Sequence, residues 1–171
     1  MGVLKVKDAT GAWVPIGVGV GLVDLADGTY TPTLTGIAVG GAGATNTAFW
    51  QWIGSPVSGG RGIMHMTGNI ILGTGATLPS NGIKIGYPAG FALSSSIGEY
   101  GATCQFTQTG VEVWIGYTHA DPAGINLYFW LGTPATAPIY PRRGQVTAAS
   151  PFTWKVTDQI TWSAHLAMTR T

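Results

Sequence analysis

The stretch "DQITWSAHLAMTR" (158–170) decides the fold. Ile160, Trp162, Ala164, Leu166 and Met168 fall at every second position, with Thr161, Ser163 and His165 between them. Side chains of an extended strand alternate between its two faces, so this spacing describes a strand with one apolar face rather than a helix. Trp162 is therefore expected in the core. Just upstream, "SPFTWK" (150–155) brings Trp154 two residues past Phe152, ahead of the turn "KVTD" (155–158). Trp154 is expected to cover one end of the domain.

The same period recurs outward along the chain, between turn clusters, and helical periodicity is absent. "TYTPTLTGIAV" (29–39) reads as a Thr-rich strand. "NTAFWQWIG" (46–54) sets Phe49, Gln51 and Ile53 on one face and Trp50 and Trp52 on the other, which is taken as the outward face. "GIMHMTGNIILG" (62–73) groups Met64, Met66, Ile70 and Leu72, and "GIKIGYP" (82–88) points Ile83, Ile85 and Tyr87 inward. "CQFTQTGVEVWIGY" (104–117) reads as a hairpin with Val111, Val113, Ile115 and Tyr117 on one face and Glu112 and Trp114 outward. "GINLYFWLG" (124–132) points Ile125, Leu127, Phe129 and Leu131 inward, and Asn126, Tyr128 and Trp130 outward. Seven or eight strands at this spacing imply an all-β, antiparallel β-sandwich of jelly-roll type over residues 29–171. Ahead of it, residues 1–16 read as a β-hairpin arm with "DATG" as its turn, and the Gly-spaced residues 17–28 as a linker.

Composition narrows the function classes. Charged residues are 9% of the 171, against about 25% in an average domain. The eight basic residues are scattered apart from Arg142–Arg143, which leaves no basic footprint for nucleic acid. No apolar run reaches the ~18 residues of a membrane-spanning helix, so membrane insertion is not expected. "MGVLKVKDATG" alternates and lacks the charged-then-apolar order of a secretory signal. A single cysteine, Cys104, excludes an intrachain disulfide and is expected to be a small buried hydrophobe.

Catalytic patterns are sparse. His65, His119 and His165 have no metal-ligand spacing, and no metal or other cofactor is expected. His65 and His165 sit on strand faces opposite the core. His119 lies near Asp121 in what reads as a turn. There is no GxSxG nucleophile elbow, "GVGVG" is not a dinucleotide fingerprint, and seven carboxylates offer few acid–base pairs. The expectation is a non-enzyme. Outward aromatics are the informative oddity, because a solvated sheet face should alternate with polar residues. They imply either a subunit interface or cover by loops of the same domain. The candidate binding and interface residues are Trp50, Trp52, Trp114, Tyr128 and Trp130, with Tyr140, Arg142 and Arg143 in the loop "IYPRRGQ" (139–145).

The order of these motifs resembles a known family. "VKDATGAWVPIG" (6–17) is similar to the opening of small tail proteins from phages of actinobacteria. From "GTYTPTLTG" (28–36), through "GNIILGTGATLPSNGIKIGYPAG" (68–90), to "PFTWKVTDQITWSAHL" (151–166), the chain resembles the C-terminal β head domain of minor tail proteins and tail fibres. That family's closing motif is of the kind PFTWxxGD; here Thr157 stands where Gly is commoner. The resemblance implies a virion component assembled in the host cytoplasm and presented as a homotrimer. It implies contacts to other virion proteins through residues 1–16 and to a host cell-envelope glycan, with no catalytic residues. A capsid decoration or assembly protein without a host ligand, and a lectin-like carbohydrate-binding module, are the alternatives.

Overall fold

The computed structural model describes residues 5–7, 13–15, 23–78, 82–94, 103–131 and 142–171. These residues form thirteen strands and no helix. β1 (Lys5–Lys7) and β2 (Trp13–Pro15) pair antiparallel with Val6 opposite Val14; the turn expected at "DATG" lies outside the described residues. All the other strands belong to one antiparallel sheet. They are β3 (Asp24–Tyr30), β4 (Leu34–Thr35), β5 (Thr45–Gly54), β6 (Arg61–Ile71), β7 (Ile83–Ile85) and β8 (Phe91–Leu93). The chain continues through β9 (Thr103–Gln108), β10 (Glu112–Asp121), β11 (Gly124–Leu131), β12 (Arg142–Gln145) and β13 (Gln159–Arg170).

The strand order is β3-β5-β6-β13-β9-β10-β11-β7-β4, with β12 added to β11 and β8 to β13. The quoted stretch, β13, thus lies mid-sheet, paired with β6 along its length and with β9 and β8 on its other side. The sheet curls until its two ends nearly meet. β3 and β4, the end strands of the path, are consecutive in the chain and joined by residues 31–33. The Asn46 side-chain amide donates to Pro32 O at 2.8 Å, and Gly86 N donates to Thr33 O at 2.8 Å. The Tyr30 hydroxyl donates to Gly86 O at 3.4 Å and lies 3.8 Å from Met66 Sδ. The curl gives the expected antiparallel β architecture a sandwich-like core formed by one continuous sheet.

That core is a single cluster. It includes Met64, Met66 and Ile70 of β6; Ile160, Trp162, Ala164, Leu166 and Met168 of β13; and Ile83, Ile85, Ile125, Leu127 and Phe129 from the far end of the sheet. Phe152 and Trp154 close one end: Trp154 meets Phe106 edge-on at 6.1 Å, and its indole donates to Thr147 O at 3.0 Å. Cys104 is buried as expected, and burial pushes its thiol up to about 12.

Several sequence expectations need correction. In β5 the inward face is Ala48, Trp50 and Trp52, and the outward face is Phe49, Gln51 and Ile53. Both sets are apolar, so alternation alone could not choose between them. Space chooses: the Trp50 and Trp52 rings pack against Phe91 at 5.2 and 5.1 Å, and Gly54 and Gly62 leave room beside the Trp52 ring. In the β9–β10 hairpin the aliphatic set Val111, Val113 and Ile115 is exposed, while Trp114 of β10 points inward, edge-on to Phe129 at 5.8 Å. Gly116 sets that parity, because a Cβ there would lie 2.7 Å from Cys104 Sγ and 2.8 Å from the Phe106 ring. Finally, the end of the expected 17–28 linker belongs to β3 (Asp24–Tyr30), while residues 17–22 lie outside the described residues, and the expected strand over 29–39 is broken after Tyr30 before β4 resumes at Leu34.

Candidate functional site: the outward sheet face

The ladder registers line up side chains of β3, β5, β6 and β13 in rows across the outward face. One row is Leu25–Ile53–Ile63–Ala167. Leu25, Ile53 and Ile63 are 74%, 56% and 52% exposed, an unusual solvent burden for three adjacent branched side chains. The next row is Asp27–Gln51–His65–His165, followed by Thr29–Phe49–Thr67–Ser163. Beyond these, Thr47–Asn69–Thr161 continues through β9 and β10 as Gln105 and Ile115. Shallow depressions of about 450 and 360 Å³ lie beside the Thr67–Thr161 diagonal, against Phe49 and Ile115 respectively.

Charge is nearly absent from this field. Among the described residues of these rows, Asp27 is the one carboxylate-bearing side chain, with the basic Arg61 at the end of β6. Three other carboxylates are engaged in structural contacts. Asp24 pairs with Arg170 at 2.7 Å and Asp121 with Lys84 at 2.9 Å. Asp158 is fully buried and accepts from Thr109 N at 2.9 Å and Lys155 N at 2.8 Å. Partial burial works to raise the Asp121 carboxyl, but hydrogen bonds from Asn126, Lys84 and the Ala123 amide outweigh it and hold it below its usual range.

His65 and His165 face outward as expected and are directly opposite each other. Their rings stack with centroids 4.2 Å apart and planes 3° from parallel. Burial, and secondly the neighbouring His165, lower the His65 pKa. His119 differs from expectation: it lies within β10, opposite Asn126, and the turn comes only after Asp121.

The structure does not gather the candidate residues named from sequence. Trp52 is buried, and Trp50 and Trp114 are half-buried against the core. Tyr128 does face outward and stacks on Tyr117 at 5.4 Å. Tyr140 lies outside the described residues, as do the side chains of Trp130, Arg142 and Arg143, whose backbones pair in the β11–β12 ladder. Sequence reading missed Leu25, Ile53 and Ile63, whose adjacency exists only through register, and the meeting of the two histidines. The available signal is that His65 and His165 each fall on the outward face of their strand in the alternation. Comparison with family models, with curated proteins and with solved structures returned no match.

Proposed function

We propose that this chain is a non-enzymatic structural and recognition component of a phage virion, a tail-tip or fibre head that assembles as a homotrimer and contacts the host envelope. The observation that carries the reading is the outward sheet face, where Leu25, Ile53 and Ile63 stand exposed beside a Thr/Gln/His field almost free of charge. A surface of this kind favours burial against another protein copy, since desolvating it costs few ionic interactions. The resemblance of the motif order to phage tail head domains supplies the setting. The β1–β2 hairpin is the proposed arm for other virion proteins.

Function on this reading is binding without turnover. Three identical weak sites on one head gain avidity against a repetitive cell-wall glycan, because the second and third contacts form at high effective concentration. Co-sedimentation with isolated actinobacterial cell walls tests it. The assembled chain should pellet with the walls without releasing sugar, and Ile53→Lys, which places a charge in the apolar row, should abolish pelleting. Failure of the native chain to pellet, or release of soluble sugar, would overturn the proposal.

A further inference from the structure

His65 and His165 form a juxtaposition that neither the core nor the proposed assembly requires. They are direct cross-strand partners in the β6–β13 ladder, on the face away from the core. Directly opposed residues of antiparallel strands hold their Cβ atoms about 4.5–5.5 Å apart. That span lets two imidazoles turn their ring nitrogens onto one ion at the ~2.0–2.1 Å of a metal–imidazole bond. The rings already meet at 4.2 Å. His165 is exposed and His65 half-buried, so both can rotate about their side-chain torsions without disturbing the packed face.

We propose that His65 and His165 form a two-imidazole binding site for a divalent transition metal of the Cu²⁺, Ni²⁺ or Zn²⁺ class. Imidazole nitrogen suits these ions, and the Irving–Williams order makes Cu²⁺ the tightest of them. Two imidazoles stacked this closely cannot both carry charge without repulsion. A metal takes the neutral form of each ring, so binding should weaken as pH falls.

The surroundings define the rest of the site. Gln51 lies beside His65 in the same row, and Thr67 and Ser163 lie in the next. These are hydrogen-bonding groups suited to metal-bound water. Asp27 stands two strand spacings from His65, about 9.5 Å away, too far to bond the ion but able to favour positive charge in this row. Among the described residues no third His, Cys, Asp or Glu joins the pair. The remaining coordination positions therefore fall to water or to an external ligand. The site lies one row along from Leu25–Ile53–Ile63, on the face proposed to join copies, but it rests on the β6–β13 register alone: the folded Ile53→Lys variant, which keeps both histidines, should bind Cu²⁺ as the native chain does.

The test is titration of the untagged, metal-free chain with Cu²⁺, followed by calorimetry and by electron paramagnetic resonance. One equivalent should bind, with two imidazole nitrogens coupled to the copper. His65→Gln and His165→Gln should each keep the native circular dichroism. Each should weaken binding by more than about 100-fold, beyond the ~10–100-fold cost of losing an outer-shell partner. His119→Gln should leave the affinity unchanged. A second measurement needs no variant: Zn²⁺ should shift the imidazole NMR signals of His65 and His165 together and leave His119 in place. Absence of binding, unchanged affinity in either variant, or a shift confined to His119 would overturn the proposal.

Discussion

Thr157 is a non-glycine residue with a positive φ, +77°. In that left-handed region a Cβ crowds the following carbonyl, at about 1–2 kcal/mol for an L-residue. The position is held because the turn needs it. Thr157 N donates to Leu72 O at 2.8 Å, and Thr157 O accepts from the Thr109 hydroxyl at 2.6 Å. Both bonds use backbone atoms of Thr157, so Thr157→Gly keeps them while removing the crowding. Glycine returns part of the gain, since its freer unfolded chain costs about 0.5–1 kcal/mol. The net expectation is a stabilisation of about 0.5–1 kcal/mol, or roughly 1–4 °C in Tm for a chain of this length. Differential scanning calorimetry at fixed protein concentration measures it directly, because oligomerisation would make Tm concentration-dependent. Thr157→Asn should also gain, since Asn tolerates this region without glycine's entropy. A lower Tm for both variants would refute the strained-turn account.

Other perturbations follow from the same structure. Gly68 lies under Trp162, where a Cβ would come within 2.5 Å of the indole, so Gly68→Ala should cost about 1–3 kcal/mol in urea unfolding. Asp158→Ala removes the acceptor of two amides at a fully buried position, and a loss of about 3 kcal/mol is expected by the same assay. His65 has a folded pKa below its unfolded value. The unfolded chain therefore takes up the proton first, and stability should fall as pH drops below about 6.5. His65→Gln should flatten that slope in unfolding measured from pH 7.5 to 5, and an unchanged slope would show that the histidine pair is not its source.

How much of this was legible in the sequence depended on whether a strand's two faces differ. In β13 and β6 one set is apolar and the other polar, and alternation alone gave the inward residues, Trp162 and Met64 among them. In β5 and β10 both sets are apolar, and the choice was made by space in the folded core: Gly54 and Gly62 beside Trp52, and Gly116 beside Cys104. No local pattern carries that information. β3 was hidden because its glycine and two aspartates read as linker, although it gains its place by pairing with β5. The positive φ of Thr157 was not legible either, because threonine gives no sign of a left-handed turn position. The exposed apolar row and the histidine pair join residues as far apart as Leu25 and Ile63, or His65 and His165. Register assembles them after folding.

The central claim is that the outward face, not the inward-turned tryptophans, joins copies of the chain. The most direct measurement is the solution mass of the purified chain by multi-angle light scattering, with Ile53→Lys and Ile63→Lys alongside. A trimer for the native chain and monomers for both folded variants is the predicted result. A native monomer, or a trimer that both variants retain, would contradict it.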